Sequence, residues 1–480
     1  MDDFDYIKKA ESHFDAVIEN GTDVYGGVRT PAWMSSLDVS TGSYADRGGD
    51  LIQEKESLIG DPLTPEGCAI KTGKRVYRNV DAPRGCSLYW DQPLLAAART
   101  LGEITGNEKY AGAADGYASF ILENCVAPNG TILWGNHYYY DAFLDSAVRF
   151  EGDEPPRPCD MENESGELHE MRPVVPDWDA LAIISPYKTE RHIRRVLEGH
   201  IFDMPSVAFN RHADGRRGCA FLESGGILAE SACWLYKQTG DATLLGDALK
   251  VARYSFGNRG GATGLLENNP TGDRWDKYVC TTEVGHFAGR MLSCGEYSRA
   301  DEFYDIADAA TRAYLRFGFD KISGRYYGRL RVSDGSPVIG SRETVFQPGD
   351  YSNIWEPVFP THDYALAFAE TCVRLYRLTR SDIYKTAILR WAEIIRAESP
   401  PSDGGYAEHY GRQIRFLAEA GCAVGGEIGE SLQKQARSLA AEAASALWAG
   451  RMFRGRAGSG KCDAVDGMGN LLLALLRLQT

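Results

Sequence analysis

The sequence predicts an all-α fold, an (α/α)6 toroid of about twelve helices in hairpins with long functional loops and minor β hairpins. Three observations lead there. Apolar residues recur at helical spacing from about residue 91 to the end of the chain. A Gly, Asp or Ser turn separates successive helical stretches at 105–107, 239–241 and 379–382, the signature of αα-hairpins. A chain of 480 residues has room for six hairpins plus loops as one catalytic domain over 1–480. A superhelical solenoid is the structural alternative. The lack of a short strict repeat and the long aromatic-rich loops favour closure.

The elements follow in order. A first helix is expected at about 4–19. An irregular N-terminal arm follows at about 20–88, rich in Gly, Pro, Asp and Ser but interspersed with aromatics and Leu. Long segments of that kind in a compact domain usually serve function. Gln92 to Ile104 carries Leu94, Leu95, Ala98 and Leu101 on one face, breaks at Thr105-Gly106-Asn107, and resumes over Tyr110 to Leu122. A less regular helix is expected near 141–150 and another at about 189–203. Ile227 to Lys237 and Ala242 to Phe256 flank Thr239-Gly240-Asp241. Tyr364 to Leu378 and Ile383 to Ala397 flank Thr379-Arg380-Ser381-Asp382. The remaining helices are expected near 283–296, 299–316, 409–420, 431–448 and 466–478. Strands are expected only as loop hairpins, as at Arg325 to Leu330.

Charge narrows the partners. Lys plus Arg number 52 and Asp plus Glu 67, a net charge of −15. Nucleic acid needs a basic footprint and is not an expected partner. No run of about 18 apolar residues is present, so no membrane span is expected. The acidic start, Met1-Asp2-Asp3-Phe4-Asp5, lacks an apolar signal core. A cytoplasmic location is expected, or a periplasmic one if a signal has been trimmed. The 11 cysteines form no Cys-x-x-Cys pair and read as buried reduced thiols. His362-Asp363 and Glu408-His409 lack the spacing that sets two metal ligands on one helix face. No metal and no cofactor are expected.

Five histidines sit beside carboxylates, arginines or tyrosines at loops and helix starts. They are His137 before Tyr138, Tyr139 and Asp141; His169 beside Glu170 and Arg172; His212 after Arg211; His362 before Asp363; and His409 between Glu408 and Arg412. In a toroid the helix starts of one layer converge on one mouth, so such residues can share a cleft. Tyr351, Trp355 and the 138–140 tyrosines offer flat apolar faces with polar tips, which match sugar rings. Glycoside hydrolysis needs one protonated carboxyl and one ionised partner. The candidates are Glu356, Glu408, Asp363, Glu170 and Asp141. Glu408 and Arg412 also suit a plain i,i+4 ion pair. Arg172, Arg211 and Arg412 each lie near one of these histidines, and a guanidinium binds a carboxylate through two parallel hydrogen bonds. That points toward a uronic acid.

With these residues in view, the chain from about 80 to 478 resembles the six-hairpin carbohydrate-active enzymes. It is most similar to glycoside hydrolase family 154, the exo-β-glucuronidases, and the unsaturated glucuronyl hydrolases share that fold. The likeness is carried by Gly135 to Asp141, Leu168 to Pro173 and Ala407 to Arg412. The resemblance implies removal of a terminal β-glucuronic acid from a uronic-acid-containing oligosaccharide, with carboxylates as acid and base. His137, Tyr138, Tyr139, His169, Arg172, Arg211, His212, Tyr351, Trp355, His362, His409 and Arg412 would bind the substrate. A polysaccharide lyase on the same toroid is the first alternative, using Arg to stabilise the uronate enolate and Tyr or His to take the C5 proton. A non-catalytic glycan-binding toroid and an epimerase are the others. Toroids of this kind can pair through loops, so a homo-oligomer is compatible with the sequence.

Overall fold

The computed structural model describes residues 5–45, 52–54, 75–77, 84–135, 138–149, 157–159, 169–171, 173–203, 208–211, 219–270, 278–340, 348–355, 365–402 and 404–479. Among them are fourteen α-helices, two more than the twelve or so expected. Six helices form most of an inner wall: α2 (Leu88–Thr105), α6 (Leu222–Thr239), α8 (Thr281–Ser298), α10 (Leu366–Thr379), α12 (Ala407–Val424) and α14 (Met468–Arg477). Behind them lie α3 (Glu108–Asn124), α7 (Ala242–Gly257), α9 (Asp301–Phe317), α11 (Asp382–Ala397), α13 (Gly426–Leu447) and, against α14 and α2, α1 (Tyr6–Asn20). Helix α14 packs on both α12 and α2, which closes the ring.

The additional pair is the short α4 (Trp178–Ile184) with α5 (Pro186–His200). Helix α4 completes the wall between α2 and α6. Gln92 of α2 donates to the Val175 carbonyl at 2.7 Å, and the Trp234 indole of α6 donates to Asp179 at 2.9 Å. At seven residues α4 is too short to show a helical period in sequence.

The inner helices turn into their outer partners by one recurring device. Thr105, Thr239 and Thr379, with Ser298 in the same role, donate their hydroxyls to the carbonyl four residues earlier. Each hydroxyl oxygen then accepts the backbone N–H two residues later. The residue between is left-handed: Gly106 at φ 69°, Gly240 at 73°, Arg299 at 62° and Arg380 at 56°. A left-handed residue with a Cβ is strained by roughly 1–2 kcal/mol, while glycine gains chain entropy on unfolding. Arg299 is exposed. Arg299→Gly is therefore expected to raise stability by roughly 0.5–1 kcal/mol, read as a higher urea midpoint at unchanged slope.

Glycines let the inner helices touch. A Cβ on Gly285 of α8 would lie 2.3 Å from the Phe368 nitrogen of α10. One on Gly411 of α12 would lie 2.5 Å from the Leu471 nitrogen of α14, and one on Gly469 of α14 would lie 2.2 Å from Leu94 of α2. Ion pairs also tie neighbouring inner helices: Glu230 to Arg290, Glu296 to Arg374, and Glu370 to Arg415.

Because the inner-to-outer turns are tight, every long connection lies at the opposite end, leading into the N-terminus of an inner helix. One expectation on these connections changes. The stretch near 141–150 is not a helix. Strands Tyr138–Asp141 and Ser146–Arg149 pair antiparallel inside a four-stranded sheet that also holds Gly85–Cys86 and Arg157–Pro158. The described part of the arm is folded onto the toroid, where Ser36–Asp38 pairs with Lys461–Asp463 just ahead of α14. Among the described residues no helix is long and apolar enough to cross a membrane. The ten described cysteines are all free, and eight are buried.

Candidate active site

Four loop segments lie side by side ahead of α4 and α6. Trp134 bridges His169 in parallel, and the Glu170 N–H donates to the Trp134 carbonyl at 3.2 Å. The Met171 N–H donates to the Arg211 carbonyl at 2.8 Å, and the Arg211 N–H to Cys219 at 3.0 Å. Side chains alternate across extended backbone. His169 and Met171 therefore turn inward, Met171 joining Val196, Ile201 and Phe209 in a small core. Glu170 turns the other way. Gly135 lies against it, where a Cβ would come within 3.2 Å of the Glu170 Cβ.

Glu170 meets Arg211 there, with Nε 3.4 Å from Oε1. The carboxylate side chain is 2% exposed and the guanidinium 19%, so the cation is the member that reaches solvent. Arg211 also lies over the Phe221 ring at 5.1 Å, which fixes its plane. A guanidinium that keeps partial exposure beside a buried carboxylate is suited to a ligand carboxylate.

Behind this pair lies a group of buried histidines. His169 Nδ1 is 2.7 Å from His200 Nε2, and His200 Nδ1 is 2.8 Å from the Asn210 carbonyl. The Ile132 N–H donates to His192 Nδ1 at 2.9 Å. Burial pushes His169 well below the usual histidine range, and the neighbouring imidazoles add to the effect. It pushes His192 down to about 3. His169 is thus a buried neutral ring packed between two others. It is not the open substrate contact expected from sequence.

A second group occupies the start of α12. Glu408 is buried and accepts from Arg412 Nε at 2.8 Å, the i,i+4 pair that its spacing allows. His409 is buried against Trp355 and Tyr406, and burial pushes it down to about 3. Trp355 is itself buried, packed on Tyr410 and on Gly405. It anchors a loop instead of presenting a sugar platform. Tyr351 stacks on Tyr327 at 5.6 Å and donates to Asp320 at 2.8 Å.

Asp141 belongs to the fold. It is fully buried, accepts from Arg84 at 2.8 and 3.0 Å and from Tyr139 at 3.2 Å, and takes the N–H groups of Phe143 and Leu144. These bonds close the turn of the 138–149 hairpin. Tyr139 is likewise buried, while Tyr138 keeps partial exposure. Glu283 caps α8 by accepting the Cys280 N–H at 2.7 Å. Glu356, Asp363, His137, Arg172, His212 and His362 lie outside the described residues.

The sequence sets Glu170 beside His169 and Arg211 in a separate segment, and the structure brings the three together. His192 and His200 are not among the residues singled out from the sequence. Their signal was present: His192, Val196 and His200 recur at four-residue steps on α5, which sets them on one buried face.

Residues 61–221, about a third of the chain, match the family model described as periplasmic pectate lyase. The chain is also similar to the pectate disaccharide-lyase of Dickeya dadantii (strain 3937), at 25% identity over 190 residues. That match covers 38% of this chain and 32% of the relative, so the chain spans about a third of that protein's length. Among solved structures, the GH76A α-1,6-mannanase of Salegentibacter sp. HEL1_6 overlaps at TM-score 0.49 and 10% identity, covering 98% of this chain and 99% of that one. The unsaturated glucuronyl hydrolase of Bacillus sp. GL1 overlaps at TM-score 0.42 and 14% identity, covering 63% of this chain and 83% of that one.

Proposed function

We propose that the protein is a polysaccharide lyase that cleaves a polyuronate of the pectate class by β-elimination. The observation that carries this reading is the Glu170–Arg211 pair, held by bridged backbone within the stretch matched by the pectate lyase model. Elimination begins at C5, whose proton is made acidic only when the adjacent carboxylate is neutralised. Arg211 supplies that neutralisation as two parallel N–H donors, and Glu170 holds the guanidinium in place. A base takes the C5 proton, the C5–H electron pair forms the C4=C5 bond, and the C4–O bond breaks with its oxygen taking a proton. Tyr138, at the start of the 138–149 hairpin, and His137, which precedes it in sequence, are the residues we assign to the proton acceptor. The long loops all open at the N-termini of the inner helices. Partial positive charge gathers there, which favours an anionic chain in a protein of net charge −15.

A hydrolytic reading, removal of terminal β-glucuronic acid, is favoured by the buried Glu408 in the first turn of α12. One experiment separates the two. The protein is incubated with polygalacturonate and with a nitrophenyl β-D-glucuronide. The expected result is an ultraviolet-absorbing conjugated product from the polymer and no nitrophenol. Nitrophenol without the ultraviolet band would replace elimination by hydrolysis. Silence from both substrates would overturn both readings.

A further inference from the structure

The histidine group behind the Glu170–Arg211 pair has a fixed direction. A backbone carbonyl can only accept, so the contact from His200 Nδ1 to the Asn210 oxygen places a proton on Nδ1. A neutral His200 then carries its lone pair on Nε2. With His200 neutral, the proton in the 2.7 Å contact sits on His169 Nδ1. His192 has the opposite assignment, because its Nδ1 accepts the Ile132 N–H. The His169 ring is enclosed by the other two, at centroid distances of 4.9 Å to His200 and 5.2 Å to His192.

The ends of this relay are informative. His169 immediately precedes Glu170, and Asn210 immediately precedes Arg211. The relay thus joins the backbone behind the acid to the backbone behind the base of the ion pair. The Asn210 N–H also donates to the His200 carbonyl at 3.0 Å, so His200 is bound to Asn210 through both backbone and side chain. The Nε2 contact reaches the segment that carries Glu170.

We propose that His200 is a positioning residue of the reacting centre: its Nε2 lone pair holds His169 as the Nδ1–H tautomer, and this sets Glu170 against Arg211. The inference rests on the reading of that pair as the uronate-binding centre. His200 touches no substrate and takes up no proton in the reaction. It acts through the orientation of the 169–171 segment.

Three substitutions separate positioning from simple support. Glutamine at 200 carries its carboxamide where Nε2 stood and keeps an acceptor for His169. Asparagine carries its carboxamide where Nδ1 stood and keeps only the bond to Asn210. Phenylalanine keeps the shape alone. On polygalacturonate, His200→Asn and His200→Phe are expected to lose roughly 10- to 100-fold in kcat with KM nearly unchanged, and His200→Gln to recover to within about threefold of the natural protein. Glutamine as damaging as phenylalanine would overturn the proposal. So would losses that merely follow the fall in Tm across all three variants.

A second measurement reads the same link without turnover. In the full chain labelled with 15N-histidine, and assigned with His169→Gln, the His169 ring is expected to show a protonated Nδ1 and a bare Nε2. His200→Asn is expected to shift that ring toward the other tautomer. A His169 ring protonated at Nε2 alone in the natural protein would sink the proposal even if the enzyme degrades pectate. The tautomer as expected, with no cleavage of polygalacturonate, would sink the functional reading and leave the brace standing.

Discussion

Arg211→Lys is expected to lower kcat/KM on polygalacturonate by about 100- to 1000-fold, because a lysine keeps the charge but loses the planar fork. The guanidinium holds two relations at once. Its Nε faces Glu170 at 3.4 Å, and its face covers Phe221 at 5.1 Å. In the proposed reaction the planar guanidinium is the donor to the uronate carboxylate. An ammonium can satisfy Glu170 as a point charge, yet it has no second donor in the same plane and no flat face to rest on Phe221. Stability should therefore fall far less than activity. Arg211→Ala is the control: it removes the cation beside a carboxylate that is 2% exposed, and breaking such a buried pair costs about 3–5 kcal/mol. Urea unfolding of both variants, beside steady-state rates, checks the distinction. A lysine variant with nearly full activity would show that Arg211 supplies only charge, and the bidentate role in elimination would be wrong.

The hairpins were legible in sequence because their turns are local. Thr105-Gly106, Thr239-Gly240 and Thr379-Arg380 each close through bonds spanning four residues or fewer, so their spacing announces them. The stretch near 141–150 was not legible in that way. Its turn has Asp145 at φ 50°, and the Asp145 carboxylate is bound by the N–H groups of Gly27 and Val28, more than a hundred residues away. Local propensity does not carry that tertiary hold.

The candidate site divides by the same principle. The i,i+4 pairing of Glu408 and Arg412 is readable from spacing alone. Trp355 was misjudged as a platform, because an aromatic beside a turn looks the same whether its ring faces solvent or packs on Tyr410. The link from His200 to His169 joins a helix end to a strand 31 positions earlier. Nothing in the spacing of those residues encodes the 2.7 Å contact.

Acid should unfold this protein well before its carboxylates protonate. His13, His192 and His409 are pushed down to about 3 by burial, and His169 lies well below its usual range for the same first cause. In the unfolded chain each titrates near 6.5. Between these values the unfolded state binds more protons than the native one, so stability rises with pH across that window. Each buried ring contributes stability that is fully present above about pH 6.5 and is lost as pH falls toward its folded value, at about 1.4 kcal/mol per pH unit. The four buried rings act in the same direction. The urea midpoint is therefore expected to fall steeply between pH 6.5 and 5. Glu370, held below the usual range by Arg415 and Arg412, adds its loss only at lower pH. His13 isolates the effect from the active site. It lies in α1, and its Nδ1 accepts the Phe453 N–H at 3.2 Å. Asparagine can offer an oxygen at that place without titrating. His13→Asn should flatten the slope by about 1.4 kcal/mol per pH unit below 6.5. An unchanged slope in that variant, or a flat midpoint in the natural protein, would mean that these rings are protonated in the folded state and that their surroundings accept the charge.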